Sequence, residues 1–271
     1  YRLVKELRKW YGNWLQTNLN VTYKIEAYLI GRKVNSLLNE YSFASRDYFR
    51  EENKSDDIMQ KYCDEFSERH DALLTTHVSP EGKTLLGISI ADRDYFTQCK
   101  ETLQPVISDI VVSKENGKLS IILVAPIIEN NEFSGAILSQ FDASFLSNQT
   151  NNIKPGNTGS SYMIDQTGTI IASEDTDLIL SEYNLLEAAK NDKSLKDIAS
   201  IQQKMISGEA GYAKYKQNGK AMITGYAPIG INGWSIALTG TSSEFLGGLN
   251  IVFASISFIS MGCIFMSYRN N

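Results

Sequence analysis

One segment of the sequence, SIADRDYF at residues 89–96, concentrates side chains suited to binding a small molecule. Arg93 carries a guanidinium group whose planar fork of donors fits a carboxylate or another planar oxygen acceptor. Tyr95 and Phe96 follow closely and offer faces on which a flat ring could stack. Alternatively, Arg93 pairs with a nearby carboxylate on a loop surface. The candidate carboxylates are Asp92, Asp94 and Asp109.

The residues that catalysis or a metal site would need are scarce. The chain has only two histidines, His70 and His77, and it contains no GxSxG, HExxH or glycine-rich phosphate loop. Cys63 and Cys99 lack the spacing of a metal site, and they either form a disulfide or remain separate thiols. We therefore expect no enzyme, no metal and no cofactor in this region, with an extracellular hydrolase as the enzymatic alternative.

The charge of the chain indicates which partners to expect, and its size limits the number of domains. The formal net charge is −5 and no basic stripe with interleaved aromatic side chains stands out, so nucleic acid is not an expected partner. The 271 residues, 42% of them hydrophobic, suffice for one or two domains with buried cores and a further helix.

The sequence repeats itself. Residues 121–142 (IILVAPIIENNEFSGAILSQFD) are echoed by residues 223–244 (ITGYAPIGINGWSIALTGTSSE), each with a strand carrying Ala-Pro-Ile, a polar turn and a second strand. Upstream, residues 77–87 and residues 163–173 resemble each other in the same way. The pattern predicts one small antiparallel module used twice.

Two helices are predicted before the first module. Residues 1–48 lack proline, and apolar side chains recur there at every seventh position: Leu7, Trp14, Val21 and Tyr28. This pattern indicates a long amphipathic helix, which could be a homodimer seam or an ordinary packed helix. Residues 55–70 begin with Ser55 and two aspartates and predict a second helix.

The remaining elements give an α+β fold. Five strands are predicted in the first module, at 72–78, 83–90, 106–113, 118–127 and 133–142, with a loop and short helix within 92–105. The second module should contain strands around residues 161–173, helical structure at 184–207, a hairpin turning at Asn218-Gly219 and a final strand at 234–242. The predicted limits are 1–48 for the long helix, 49–150 and 151–245 for the modules, and 246–268 for a transmembrane helix.

The transmembrane helix is predicted from LNIVFASISFISMGCIFMS at residues 249–267, a run without charge that is long enough to span a bilayer. Arg269 follows the run, and cytoplasmic flanks favour Lys and Arg. We therefore expect a cell-membrane protein with residues 1–245 outside the cell and the C-terminus in the cytoplasm. A first span is then expected before Tyr1.

In order and spacing, these features resemble a double Cache sensor domain. The resemblance is carried by the long helix, by SIADRDYF, by GNTGSSYMIDQTGTIIAS (156–173), by the paired Ala-Pro-Ile strands and by the apolar run, over about residues 10–268. It implies two PAS-like modules stacked along one helix. It also implies the extracellular region of a bacterial chemoreceptor, sensor histidine kinase or diguanylate cyclase, with a small metabolite bound in the membrane-distal module.

The resemblance assigns roles to individual residues. It implies that Arg93 holds a ligand carboxylate, that Tyr95 and Phe96 wall the pocket, and that Asp142 receives a ligand amine. Asp109 would face Arg93 across the same pocket. Asp142 could instead cap a helix suggested by ASFLSNQ, and Asp109 could be a strand-edge carboxylate paired with a lysine.

The sequence departs from the amino-acid-binding members of that family. Tyr95 stands where a tryptophan is common, and Ile110 and Val111 stand where a tyrosine is expected. A carboxylic acid, an amine or a nucleobase-like ring therefore fits as well as an amino acid. In the second module Tyr162, Asp165 and Tyr226 could line another pocket, although the resemblance favours core and turn positions. The alternative function is a structural or protein-binding ectodomain without a small ligand.

Overall fold

The computed structural model describes residues 22–42, 56–151, 153 and 159–243. Residues 22–42 are helical, which confirms the helix prediction for this stretch; the helix is labelled α1 here. Residues 1–21 and 43–48, including the heptad positions Leu7, Trp14 and Val21, lie outside the described residues.

The first module begins with α2 (Asp56–His70), as the sequence predicts, and contains a four-stranded antiparallel sheet in the order β1-β4-β3-β2. Its further elements are β1 (Leu74–Val78), α3 (Asp94–Thr102), β2 (Val106–Val112), β3 (Leu119–Glu129), β4 (Glu132–Asp142) and α4 (Phe145–Thr150).

The second module contains a five-stranded antiparallel sheet in the order β6-β5-β9-β8-β7. Its elements are β5 (Ser160–Ile164), β6 (Ile170–Ser173), α5 (Thr176–Leu180), α6 (Leu185–Asn191), a 3-10 turn (Lys193–Leu195), α7 (Lys196–Ile206), β7 (Gly211–Gln217), β8 (Lys220–Pro228) and β9 (Ser235–Thr241). The predicted hairpin is confirmed, because Asn218 and Gly219 join β7 to β8 with φ of 51° and 76°.

The internal repeat is confirmed for its main hairpin. Pro126 lies in β3, which pairs with β4, and Pro228 ends β8, which pairs with β9. The second repeated pair turns at Gly168 in the second module, where β5 pairs with β6. In the first module the chain also turns back at Gly82, but it makes only the isolated bridge between Val78 and Thr84. The α+β class with two antiparallel sheets is therefore shown.

The strand predicted at residues 83–90 is wrong. This segment makes only isolated bridges, Val78 to Thr84 and Lys83 to Ser89, and it folds back on itself through a turn in which the amide of Gly87 donates to Thr84 O. Gly87 has φ of 77°, which interrupts an extended run. Thr84 and Ile90 are buried, Ile90 in the core that contains residues of α3, whereas Leu86 between them is 64% exposed.

Alternate residues of the first sheet pack into two different cores, as a pleated strand requires. Ile121 and Leu123 of β3 face a core that also contains Tyr41 of α1 and Phe66 of α2. The intervening Ile122 faces the opposite side, in the core that contains residues of α3. The sheet therefore separates α1 and α2 from α3.

Helix α1 is shared by both modules. Its buried positions follow helical spacing and enter one core with residues of both sheets: Tyr23, Ala27, Ile30, Val34, Leu38 and Tyr41. At Gly31 a Cβ atom would lie 2.6 Å from the carbonyl oxygen of Ile229, so only glycine lets the helix approach the β8–β9 connection this closely. Gly31 permits this contact without breaking the helix.

The second sheet is also covered on both faces. Ile236 and Leu238 of β9 share the core of α1, whereas Ala237 between them faces Ile201 and Met205 of α7. Within the described residues no helix is both long and apolar enough to cross a membrane. The apolar run at 249–267 lies outside these residues.

Candidate functional site

A cavity of about 470 Å³, called here the first cavity, lies at the border between the two modules. Its walls come from the residues that lead into α3, from β2, and from two turns of the second module that contribute Gln166 and Asn232. Its volume lies within the range of small-ligand pockets. Three of the sequence-predicted site residues line it: Arg93, Tyr95 and Asp109.

Arg93 occupies the position just before α3, where the chain is still extended with φ of −91° and ψ of 132°. Its Nη2 donates a hydrogen bond of 3.0 Å to the carbonyl oxygen of Val112, which ties the start of α3 to β2. A guanidinium has five N–H donors. This single bond therefore leaves most of the donors of Arg93 available to a ligand.

The structure does not favour the alternative in which a carboxylate neutralises Arg93. Among the described residues, Arg93 takes part in none of the salt bridges. Asp92 pairs instead with the ammonium group of Lys114. Arg93 is thus a half-buried cation on the wall of a cavity.

Asp109 is directed into the border by an irregularity in β2. The register between β2 and β3 shifts between Ile107 and Ile110, and such bulges re-aim side chains. Oδ1 of Asp109 accepts a hydrogen bond from Nε1 of Trp234, a fully buried residue of the second module. Burial raises the pKa of Asp109, and the Trp234 hydrogen bond opposes this rise only in part.

A second hydrogen bond joins the modules beside the same cavity. Asn232, in the turn before β9, donates from Nδ2 to the carbonyl oxygen of Ile107 at 2.5 Å. Asn232 has φ of 47°, a left-handed conformation that Asn tolerates better than most residues. Sequence reasoning missed Asn232 and Gln166 as cavity residues; the available signals were the turn sequence Asn232-Gly233 and the turn at Gly168.

Tyr95 and Phe96 do not share one environment. Tyr95 lines the cavity, and burial raises the pKa of its hydroxyl to about 12, so the side chain is neutral. Phe96 is 2% exposed and packs edge-on against Phe133, with ring centroids 5.7 Å apart. Successive helical residues point in different directions, which is why only one of the two reaches the cavity.

Asp142 also lies away from the first cavity. Its Oδ1 accepts a 2.9 Å hydrogen bond from the amide of Ser144, in the turn that leads into α4. This turn lowers the pKa of Asp142. The N-cap residue of α4 is Ser144, so Asp142 holds the turn before the helix and is not its cap. Its role in ligand binding stays a prediction without support from the cavity.

Metal and thiol chemistry have little basis in the described part of the chain. No group of three or more His, Cys, Asp and Glu side chains there could hold a metal ion. Cys63 and Cys99 are both buried and unbonded, and burial raises the pKa of each thiol to about 12. These two residues behave as small apolar core side chains.

The comparisons with known proteins agree with this architecture. A model of the Cache domain family matches residues 8–249. The chain belongs to the Cache domain family. Within the family, the arrangement of two stacked modules along a shared helix is the double form. No functionally curated protein matches the sequence.

Several solved sensor domains share the Cache fold of this chain. The ligand-binding domain of the Pseudomonas fluorescens chemoreceptor CtaA, solved with L-isoleucine, aligns with a TM-score of 0.69 and 14% identity over 89% of this chain and 98% of its own. The sensory domain of the Campylobacter jejuni chemoreceptor Tlp3, also with isoleucine, gives 0.61 and 14% over 87% and 95%. The extracellular domain of mmHK1S-Z2, described as a histidine kinase, gives 0.65 and 15% over 86% and 99%.

Proposed function

We propose that the chain is the extracellular sensor region of a bacterial membrane receptor and that the first cavity binds a small metabolite bearing a carboxylate. The observation that supports this proposal is the position of Arg93. Its half-buried guanidinium lines a cavity of about 470 Å³ and donates one hydrogen bond to the described protein, to Val112 O. A cation in such a position gains most from a ligand that supplies two acceptor oxygens in one plane.

An α-amino acid is the first candidate ligand. The cavity contains both Arg93 and Asp109, so it offers a positive group for a carboxylate and a negative group for an amine. The structural relatives CtaA and Tlp3 have been solved with isoleucine bound, at identities that establish only the shared fold. Tyr95 would supply the wall along the ligand side chain.

Asp109 also supplies a route by which binding could reach the second module. Its carboxylate is bonded to Trp234, which lies in the core that includes α1. A ligand amine that engages Asp109 would compete with the indole N–H for the same oxygen and change the contact between the modules. Ligand binding would then shift the population of two module arrangements, and α1 and the chain after β9 would transmit the difference across the membrane.

Helix α1 is the proposed contact with a second copy of the chain. Opposite its buried stripe, the helix exposes three large apolar side chains: Ile25 at 48%, Tyr28 at 62% and Leu29 at 48%. Tyr28 continues the seven-residue spacing of Leu7, Trp14 and Val21, which is typical of a helix that pairs with another. A homodimer would cover this face.

The direct test is a thermal-shift screen of the full chain against amino acids, carboxylates, amines and nucleobases, run in parallel on Arg93→Ala. A ligand that binds only the folded state raises the melting temperature. The proposal expects a carboxylate-bearing compound to stabilise the parent chain and to lose this effect in Arg93→Ala. If no carboxylate stabilises the parent, the proposed ligand class is wrong and a structural or protein-binding ectodomain becomes the better interpretation.

A further inference from the structure

A second cavity, of about 590 Å³, lies inside the second module between its sheet and the helices α5, α6 and α7. It shares no wall residue with the first cavity. Among the described residues of its wall there is no lysine, arginine or histidine, and Glu174 and Asp175 lie exposed at one side. An anion would therefore find no positive partner here, in contrast to the first cavity.

The most informative side chain in this wall is Gln202. Helix α7 buries Ile198, Ile201, Gln202 and Met205, so Gln202 occupies a place on the core-facing stripe where an apolar residue is the norm. Gln202 is 1% exposed, and neither its Nε2 nor its Oε1 has a hydrogen-bond partner in the described part of the chain. Buried amides are nearly always paired, because an unpaired one costs free energy.

Tyr162 presents a second unpaired polar group to the same space. It projects from β5 beneath α7, and its hydroxyl oxygen is buried. The carboxamide of Gln202 lies near this hydroxyl, but the two groups do not meet in hydrogen-bond geometry. Burial raises the pKa of Tyr162 strongly and the nearby Gln202 opposes this rise only in part, so the hydroxyl stays neutral and can both donate and accept.

Several other polar groups of the wall are already engaged. The hydroxyls of Tyr215 and Thr239 bond each other at 2.9 Å. Ser161 donates to the carbonyl oxygen of Thr150 at 2.9 Å. The remaining wall is largely apolar, with Leu178, Leu185 and Ile198 among its members.

We infer that the second cavity is a distinct binding site for an uncharged, flat molecule whose edge carries an N–H donor beside a carbonyl acceptor, as in a cyclic amide or a pyrimidine or purine base. The carboxamide of Gln202 presents a donor and an acceptor side by side, which matches such an edge with two hydrogen bonds. Tyr162 and Tyr215 supply aromatic surface against which a ring can pack. The site does not depend on the ligand proposed for the first cavity.

The test is calorimetric titration of the full chain with uracil, thymine and hypoxanthine. The control ligand is 1,3-dimethyluracil, which keeps the ring and its carbonyls but has no N–H donor. We expect at least one of the three bases to bind and the methylated analogue to bind far more weakly, because a site built around a hydrogen bond rejects a molecule that lacks it.

Two matched variants locate the binding. Gln202→Leu should lower the affinity for the base by roughly tenfold to a hundredfold, because the base would lose its hydrogen-bond partners in a buried site. Gln203→Leu, one residue further along the same helix and exposed, should leave the affinity unchanged. Tyr162→Phe gives an independent second variant of the wall should Gln202→Leu fail to fold, and it should also weaken binding.

The outcomes separate the two cavities. Binding of a base that Gln202→Leu or Tyr162→Phe weakens and Arg93→Ala leaves intact supports the second site. The inference is overturned if none of the three bases binds, or if the base binds but only Arg93→Ala weakens it. An equal affinity for 1,3-dimethyluracil and uracil would also contradict it, since the amide edge would then play no part.

Discussion

The first cavity lies at the border between the modules and has both positive and negative side chains in its wall, whereas the second lies within its own module and is walled mainly by apolar and uncharged groups. Both modules are antiparallel sheets covered by helices, and both contain the repeated hairpin. The cavities differ because different connections complete their walls: the segment around the start of α3 and two turns of the second module in the first cavity, and helices α5, α6 and α7 in the second.

The two cavities also differ in how their polar groups are satisfied. In the first cavity Asp109 and Asn232 already bond across the border, so a ligand must compete with contacts between the modules. In the second cavity Gln202 and Tyr162 have no partner among the described residues. Under the proposals above, a ligand of the first cavity would alter the contact between the modules, and a ligand of the second would supply the missing hydrogen-bond partners.

The largest effect is expected from Arg93→Ala. Removing the guanidinium should weaken a carboxylate ligand by roughly tenfold to a hundredfold, because hydrogen bonds to charged groups contribute about 1.5–3 kcal/mol. Arg93→Lys should restore only part of the affinity, since an ammonium lacks the planar fork. Calorimetric titration measures both. Arg69→Ala, at the exposed end of α2, is the control and should bind as the parent does. If Arg93→Ala and Arg69→Ala bound the ligand with equal affinity, the first cavity would not recognise its ligand through the charge of Arg93.

The next effect concerns the helix that serves both modules. Gly31→Ala should lower the free energy of unfolding by about 1–3 kcal/mol, as overpacking does, although alanine is the better helix former. The new Cβ would meet the backbone carbonyl of Ile229, which cannot rotate away as a side chain could. Urea denaturation checks this. Asn35→Ala, on the exposed face of the same helix, should change stability by less than about 0.5 kcal/mol. A stabilised Gly31→Ala would show that α1 is not held against the second module.

A smaller effect is expected from Asp109→Asn, which keeps the oxygen acceptor for Trp234 and removes the charge. Because the folded-state pKa of Asp109 is raised, the folded state binds a proton more tightly than the unfolded state. The free energy of unfolding of the parent therefore rises as the pH falls from the raised pKa of Asp109 to the ordinary pKa of an aspartate.

The variant should lack this contribution and should be more stable than the parent at pH 7. The measurement is urea denaturation of both chains at neutral pH and at about pH 4.5. If the free energies of unfolding of parent and variant differ by the same amount at both pH values, Asp109 is not desolvated at the border.

The smallest effect is a gain. Gln202→Leu should raise the free energy of unfolding by about 1 kcal/mol in the absence of ligand, because it removes an unpaired buried amide. Gln203→Leu should lie within about 0.5 kcal/mol of the parent. Differential scanning calorimetry of the three chains measures the difference. A clear loss of stability in Gln202→Leu would show that the carboxamide is well paired, and the contrast between the cavities would fail.

Much of the fold could be predicted because its signals are local. The aspartates at the start of α2, the Asn218-Gly219 turn and the helical spacing in α7 each act over a few residues of chain. The segment 83–90 shows the limit of such signals: the predicted strand makes only isolated bridges, because a turn at Gly87 interrupts the extended run.

The site was predicted only in part for the same reason. Arg93, Tyr95 and Asp109 lie beside one cavity, whereas Phe96 and Asp142 lie elsewhere because the helix phase and a local turn direct them away. That any of them binds a ligand stays a prediction. Asn232 could not be expected there, since it follows its partner Ile107 by 125 residues. Gln202 was visible in the sequence as a polar residue on an apolar stripe, but its lack of a partner was not.

By itself the sequence determined the two-module α+β plan, the helix that precedes it and the family to which the chain belongs, because periodicity and turn chemistry are properties of neighbouring residues. Only the tertiary structure decided which side chains share a wall and which polar groups remain unpaired. Burial and hydrogen-bond satisfaction depend on residues that are distant in the chain, so the charged border cavity and the neutral inner cavity became visible only when the chain was folded.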